Sequence, residues 1–276
     1  MKKDFIKVNE VSFFYRKTGN GPLLFLLHPS PRSSKMTEPL MLLLKDSFTV
    51  IAPDLPGYGL SDALPERANT LYDYVPYLNS FIKQFTDKPF SLYGTATGAQ
   101  LAIAYSLINK DKINHLYLDN TAHFTNEQSD EIVQNYFPDF STKPDGSHLQ
   151  LIWQHVCDSC LYFPWYEKKE QNRIGKELPP PAVIQQIVTD YLLAGSNYTD
   201  AYKAAFLHER AEKVQELKVN TTIFKWAGSP VLQYIEALLQ YTLPENIKVV
   251  ETPANMQERF LKMKTAITEN NILMQY

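Results

Sequence analysis

The chain has 276 residues and a formal net charge of −3, and 44% of its residues are hydrophobic. This length suits one large domain, or a core with a modest insertion, and the hydrophobic share is enough for a substantial buried core. The small, dispersed charge argues against nucleic acid or an anionic membrane surface as a partner.

The beginning of the chain and its apolar runs indicate the cellular location that we expect for the protein. Charged residues interrupt the opening MKKDFIKVNE, so it holds no apolar run of signal-peptide length. No stretch approaches the roughly 20 apolar residues of a membrane span. We therefore expect a soluble, cytoplasmic protein with no membrane or nucleic-acid partner, and the sequence leaves open whether it forms a homodimer.

Two cysteines, Cys157 and Cys160, form a CxxC pair. They lie in a helix-like stretch that lacks the strand preceding such a pair in thioredoxin-like units. A zinc site would need two further ligands at suitable spacing. We expect reduced, packed cysteines, no metal site and no cofactor.

Short apolar segments alternate with helical ones over the first 120 residues. Strands are predicted at VSFFYRKTG, PLLFLLHP, FTVIAP, PFSLYG and INHLYLDN. Helices are predicted between them, at KMTEPLMLLLKD, TLYDYVPYLNSFIKQF and ATGAQLAIAYSLINK. This alternation is typical of a parallel sheet that is covered by helices on both faces.

The alternation stops near residue 121 and resumes near residue 217. The segment between these points is helical, aromatic and interrupted by prolines. After it come strands at VNTTIFKWAG and NIKVVETP, and helices at SPVLQYIEALLQYTL and NMQERFLKMKTAI. We predict an α/β core made of residues 1–120 and 217–276, with a helical cap at residues 121–216.

Three motifs in this order resemble the α/β-hydrolase family. LLHPSP (26–31) is similar to the family's HG-x-P oxyanion loop, APDLPGYGLSD (52–62) to the strand and loop that follow, and GTATGA (94–99) to the nucleophile elbow G-x-S-x-G. The resemblance spans nearly the whole chain. It implies the α/β-hydrolase fold, with a mostly parallel central sheet, flanking helices and an inserted all-helical cap.

The elbow carries Ala96 at its apex, where the family presents a nucleophile. Gly94 and Gly98 on either side leave room for the tight turn from strand to helix. The helix that follows directs its free N–H groups and its dipole at the site, which favours negative charge there. The resemblance implies an oxyanion hole formed by the backbone N–H groups of Thr97 and Ser30.

The other two triad positions also depart from the family pattern. The family acid corresponds to Ser229, in WAGSPV, and the loop that usually carries the histidine reads ETPANMQERF, with Asn255. No histidine follows His208. A single substitution at Ala96 cannot explain all three losses, so the sequence argues against an ordinary serine hydrolase.

Position 96 leaves alternatives open. The cap segments DGSHL and FPWY and the loop HPSPRSS resemble a subgroup whose elbow carries a histidine. Ala96 is therefore either the natural residue, a replacement of such a histidine, or a replacement of Ser, Cys or Asp. A histidine there would act as a general base or a covalent catalyst.

Several side chains remain as candidates for chemistry or binding. Asp119 ends a strand after which some family members place their acid, although it could also cap the next turn. His148 is the candidate from the cap, where packing is the alternative role. Candidates for substrate binding are His28, Arg32, His123, His155, Trp165, Tyr166 and Asn255. For His28 a structural bond to backbone is the alternative, for Arg32 a salt bridge, and for His123 a solvated loop position.

The sequence supports three functions. The first is an enzyme that acts on a small, mostly apolar carbonyl or carboxylate compound by non-serine chemistry, such as hydrolysis, lyase or cyclisation reactions. The second is a small-molecule binding protein with a degraded triad. The third is a hydrolase inactivated at position 96.

Overall fold

Eight strands form one sheet in the part of the chain that this computed structural model describes, residues 1–273. The strands are β1 (Lys2–Val8), β2 (Val11–Thr18), β3 (Leu23–Leu27), β4 (Thr49–Pro53), β5 (Phe90–Thr95), β6 (Ile113–Asp119), β7 (Thr221–Trp226) and β8 (Ile247–Thr252). Their spatial order is β1-β2-β4-β3-β5-β6-β7-β8. Strands β3 to β8 pair in parallel, and β2 joins them antiparallel to β4.

Helices occupy the connections between the parallel strands, as the alternating pattern predicts. They are α1 (Glu38–Leu44), α2 (Val75–Ile82), α3 (Thr97–Ile108), α4 (Asn126–Asn135), α5 (Ser147–Leu161), α6 (Pro181–Ala194), α7 (Asp200–His208), α8 (Ala211–Gln215), α9 (Leu232–Leu238) and α10 (Met256–Leu273). No helix in residues 1–273 combines the length and the apolar character that crossing a membrane requires.

The sheet is buried on both faces because alternate residues of each strand point to opposite sides. On β3, Phe25 packs with α2 and α3, whereas Leu24 and Leu26 pack with α1 and α10. Strand β5 is buried along its whole length. This two-sided burial explains why the central strands read as continuous apolar runs.

Strand β1 is absent from the sequence prediction. It pairs with β2 as a hairpin whose turn residues Asn9 and Glu10 have φ angles of 49° and 67°. Two positive φ angles are typical of a type I′ hairpin turn. The strand lies at the edge of the sheet, and its mostly exposed, charged residues hide the strand signal.

The chain between β6 and β7 forms helices α4 to α8. Helix α7 packs against α3, next to the turn that follows β5. We propose that residues 121–216 act as a cap on a core made of residues 1–120 and 217–276, because these helices lie over the ends of the parallel strands.

Candidate functional site

The turn between β5 and α3 holds its apex residue in a strained conformation. Ala96 has φ 48° and ψ −117°, a region that residues other than glycine rarely adopt. Its N–H donates to the Asp119 carbonyl at 3.0 Å, and its carbonyl accepts from the N–H groups of Ala99 and Gln100 at 2.8 and 3.0 Å. These bonds fix the apex, so a residue at position 96 presents its side chain in a defined direction.

Two glycines let the turn pack closely on the sheet. A Cβ added at Gly94 would lie 2.2 Å from the Gly98 carbonyl oxygen, and one added at Gly98 would lie 2.3 Å from the Leu27 carbonyl oxygen. Neither contact is sterically possible without a backbone shift. The Gly-x-Ala-x-Gly spacing therefore brings the N-terminus of α3 against β5 and the end of β3.

A cavity of about 310 Å³ lies beside this turn, at the carboxyl ends of the parallel strands. This size suits a small-molecule site, and the position is the usual one for ligands in open α/β sheets. Its floor includes Ala96, and its walls are rich in aromatic rings, contributed by Phe124, Tyr136, Phe163, Tyr191, Tyr202 and Phe206.

Two residues that line this cavity have backbone N–H groups left unused by the described part of the chain. Ser30 and Thr97 both line it, and Thr97 is the first residue of α3. Within residues 1–273, no hydrogen bond between protein groups uses the backbone N–H of Ser30 or of Thr97. The two N–H groups are therefore free to bind an oxygen atom of a ligand, and the α3 dipole favours negative charge at that oxygen.

The charged side chains that line the cavity, among the described residues, are Arg32 and Glu209. The Nε of Arg32 donates to Asp190 Oδ2 at 2.7 Å, which joins the loop after β3 to α6. Arg32 thus lies at the cavity, and its charge is paired with Asp190, the salt bridge that the sequence left open as its alternative role. No histidine lines the cavity in the part of the chain that is described.

Asp119 is not brought to the cavity. It is buried, its Oδ2 accepts from Arg259 Nη2 at 2.5 Å and from the Tyr93 hydroxyl at 2.8 Å, and it is not among the described lining residues. The Arg259 guanidinium stacks on Trp226, 4.4 Å from the ring centroid. A cation from the start of α10 therefore binds the carboxylate that the sequence suggested as an acid.

A polar chain connects Ser229 to the elbow. The Ser229 hydroxyl donates to Asn120 Oδ1 at 2.7 Å, and Asn120 Nδ2 donates to Thr95 Oγ1 at 3.2 Å. Asn120 adopts φ 49° and lines the cavity with Thr95. Position 229 thus supplies a neutral hydrogen bond next to the elbow. Asn120 was not predicted from the sequence. Its positive φ is a conformation that asparagine adopts more readily than most other residues.

Glu209 is a buried carboxyl group that lines the cavity. It is 6% exposed, and its Oε1 accepts from Ala122 N–H at 2.8 Å and from Gln100 Nε2 at 3.1 Å. Burial raises the pKa of Glu209 from 4.5 to about 7, against the opposing effect of these two bonds. The sequence analysis missed this residue because HERAEKV reads as an ordinary polar helix surface.

His28 supports the site from below rather than lining it. Its Nε2 accepts from Leu55 N–H at 2.8 Å, so Nδ1 carries the proton and donates to the Pro29 carbonyl at 3.0 Å. Complete burial lowers the pKa of His28. The residue is a neutral bridge between two loops, which is the structural alternative that the sequence analysis named.

The three other histidines of the prediction also lie away from the described cavity lining. His123 accepts from Ala211 N–H at 3.0 Å, and the half-buried His148 accepts from Lys143 N–H at 3.2 Å. His155 bonds the Tyr191 hydroxyl at 2.8 Å, and burial lowers its pKa to about 4. Each of the three rings thus bonds a group outside the described cavity lining or supports a wall residue.

Trp165, Tyr166 and Asn255 have local roles as well. The Trp165 Nε1 donates to the Tyr136 carbonyl at 2.9 Å, and Tyr166 packs at 6.4 Å from the Tyr136 ring. They support the aromatic wall from behind. Asn255 Oδ1 accepts from the N–H groups of Gln257 and Glu258, so this side chain caps α10.

Known proteins resemble this chain in parts of the sequence and in the whole fold. A 2-(acetamidomethylene)succinate hydrolase of Mesorhizobium japonicum is 29% identical over 128 residues, 46% of each chain. A haloalkane dehalogenase of Bradyrhizobium diazoefficiens is 39% identical over 75 residues, 26% of this chain and 24% of that protein. These matches span less than half the length of either relative.

Solved structures match over nearly the whole length. A serine hydrolase involved in carbazole degradation superposes with a TM-score of 0.70 at 18% identity, covering 99% of both chains. An E-2-(acetamidomethylene)succinate hydrolase gives a TM-score of 0.66 at 18% identity, covering 97% of this chain and 98% of that one. At this identity the likeness shows the fold alone.

The model of the alpha/beta hydrolase fold family matches residues 22–251, which is most of the chain. The eight-stranded, mostly parallel sheet with helices on both faces agrees with that match. The prediction of fold class from the three motifs is therefore confirmed. The chain belongs to the alpha/beta hydrolase fold family.

Proposed function

We propose that this protein is an enzyme that acts on a small, mostly apolar molecule bearing a carbonyl or a carboxylate, without a serine acyl-enzyme. The proposal rests on one observation, the unused N–H groups of Ser30 and Thr97 beside an apolar cavity. Ala96, the apex of the elbow, lines the same cavity. The pair of N–H groups is a ready binding place for an oxygen that gains negative charge during a reaction.

The type of reaction follows from which oxygen atom the Ser30 and Thr97 N–H groups can stabilise. Each N–H of an oxyanion hole contributes about 2.7–4 kcal/mol to the stability of a transition state. Because Ala96 offers no nucleophile, the stabilised oxygen belongs to an enolate or to a water adduct rather than to an acyl-enzyme. We therefore favour C–C or C–O bond cleavage, lyase chemistry or cyclisation over ester hydrolysis through a serine.

The relatives support a reaction on a small organic molecule. They are a hydrolase, a haloalkane dehalogenase and, in Siraitia grosvenorii, an epoxide hydrolase that is 28% identical over 121 residues, 43% of this chain and 38% of that protein. These reactions all act on small substrates. The aromatic walls of the cavity favour a ligand with an apolar, planar part.

The second candidate is a binding protein that uses the same cavity without turnover. Two observations favour it: Asp119 is paired with Arg259, and Ser229 is engaged with Asn120. In this case the Ser30 and Thr97 N–H groups would hold a ligand carbonyl in the ground state. A hydrolase inactivated at Ala96 is the third candidate.

Three forms of the protein separate these candidates: the unaltered chain, Ala96→His and Ala96→Ser. Each is incubated with esters, epoxides, lactones and β-diketones, while thermal shift reports binding. We expect turnover by the unaltered chain, and loss of turnover and of binding in Ile187→Trp, a control variant that fills the cavity.

The other outcomes are equally informative. Binding without turnover in all forms would support the binding protein. Turnover that appears only in Ala96→His would identify an inactivated histidine enzyme. We expect Ala96→Ser to give no esterase activity, because the described cavity lining contains no histidine to activate a serine.

A further inference from the structure

Glu209 lines the cavity from the junction of α7 and α8, and only one of its two oxygens is engaged. Oε1 is held by the Ala122 N–H and by Gln100 Nε2. Within residues 1–273, Oε2 takes part in no hydrogen bond. The carboxyl group is therefore fixed through one oxygen, and the other oxygen is available to a ligand.

The support of Glu209 is connected to the elbow. Gln100 lies one helical turn after Ala96, and its N–H donates to the Ala96 carbonyl. The Oε1 of Gln100 accepts from His208 Nδ1 at 3.1 Å, which turns Nε2 of the amide toward Glu209. Burial lowers the pKa of His208 to about 4, so this histidine is neutral and donates from Nδ1. This chain of bonds connects the carboxyl group to the elbow, and Glu209 and Ala96 line the same cavity.

Within residues 1–273, Glu209 forms no ion pair, unlike the other buried carboxylates. Asp119 is paired with Arg259 and Asp190 with Arg32. The neighbouring Arg210 instead donates to Asn126 and to the Phe206 and Glu209 carbonyls. A buried carboxyl without a cation costs stability, so a structural role alone does not explain it.

Titratable and polar side chains from the neighbouring elements surround Glu209. Helix α7 contributes His208 and Tyr202, Arg210 follows Glu209 itself, and α3 contributes the neutral Gln100. Burial raises the pKa of Tyr202 to about 12, so this phenol is uncharged at neutral pH. Burial outweighs the opposing effect of the Arg210 cation and raises the pKa of Glu209 to about 7, the range in which general bases are most effective.

We propose that Glu209 is the catalytic base of the cavity and moves a proton to and from the carbon next to a ligand carbonyl. The inference rests on the proposed function, since the N–H groups of Ser30 and Thr97 hold the carbonyl oxygen. An Oε2 lone pair takes the proton, the C–H electrons form a C=C bond, and the carbonyl oxygen becomes an enolate.

The return of the proton completes the reaction without a further reagent. Glu209 gives the proton back to the same carbon, or to a group that leaves from the neighbouring carbon as the enolate reforms the carbonyl. The second path is a β-elimination, which is a lyase reaction. The substrate class is thus an apolar ketone, ester or related carbonyl compound with a hydrogen on the adjacent carbon.

Hydrogen exchange tests the proposal with two probes, phenylacetone and 1-indanone, in deuterated buffer. NMR follows deuterium uptake at the carbon next to the carbonyl, for the unaltered chain, Glu209→Gln and the control Glu212→Gln, at an exposed residue of α8. We expect deuterium exchange to be faster with the unaltered chain than in buffer alone. This excess rate should fall at least about 100-fold in Glu209→Gln and should be retained in Glu212→Gln.

The pH profile of the unaltered chain is a second readout that needs no variant. The ionised carboxylate is the base, so the rate is expected to rise with pH and to level off above about 7. Exchange of both ketones at the buffer rate, or a full rate in Glu209→Gln, would overturn the inference. Turnover of the substrate panel that persists in Glu209→Gln would overturn it while leaving the proposed function intact.

Discussion

Replacing Glu209 by glutamine is expected to stabilise the protein at neutral and alkaline pH. The folded state raises the pKa of this carboxyl from 4.5 to about 7, so between these values the folded chain binds a proton that the unfolded chain has released. Stability therefore falls as pH rises through this window, and the whole loss is present above pH 7. The two pKa values differ by about 2.5, and a difference of one in pKa corresponds to about 1.4 kcal/mol. The loss in the free energy of unfolding is therefore roughly 3 kcal/mol. Glutamine keeps an acceptor for Ala122 and Gln100 but has no charge to bury.

Urea unfolding at pH 5 and pH 8 measures this effect in the unaltered chain, in Glu209→Gln and in the exposed control Glu212→Gln. The advantage of Glu209→Gln over the unaltered chain should grow by about 2 to 3 kcal/mol between the two pH values. Buried histidines add their own pH dependence, but it cancels between the two proteins. If the stability advantage of Glu209→Gln does not change with pH, position 209 does not hold a buried carboxyl group with a raised pKa.

Two further substitutions test the elbow and the ion pair by urea unfolding. Gly98→Ala places a Cβ 2.3 Å from the Leu27 carbonyl oxygen and should cost more than about 2 kcal/mol, whereas Gly146→Ala meets no atom within 4 Å and should cost about 1 kcal/mol for its positive φ. Equal losses would contradict the close packing of α3. Arg259→Met leaves the Asp119 carboxylate buried without its cation and should cost about 3–5 kcal/mol, much of which Asp119→Asn in the same chain should restore. Full additivity of the two changes would contradict the pairing.

The fold could be predicted because its signals are local. Continuous apolar runs mark strands buried on both faces, and the glycines at 94 and 98 mark a turn in which a Cβ does not fit. Strand β1 could not be predicted, since an edge strand with exposed lysines shows little apolar alternation. Its signal lies in the pairing with β2, which is a tertiary property.

The candidate site could be predicted only where backbone geometry defines it. Ser30, Ala96 and Thr97 lie at the cavity because the loop and the elbow place them there. The side-chain chemistry depends on contacts between distant segments, such as Arg259 with Asp119 and Glu209 with Gln100. Sequence spacing of 140 and 109 residues carries no information about these contacts. For the same reason, the histidines that looked available are engaged elsewhere.

Both the proposed function and the role of Glu209 require that two backbone N–H groups beside Ala96 bind the oxygen of a ligand. A crystal structure of the protein with phenylacetate, a small apolar carboxylate, tests it most directly. We expect one carboxylate oxygen at about 2.7–3.1 Å from both Ser30 N and Thr97 N, with the ring against the aromatic walls. A carboxylate bound elsewhere, or two N–H groups that point away from each other, would contradict it.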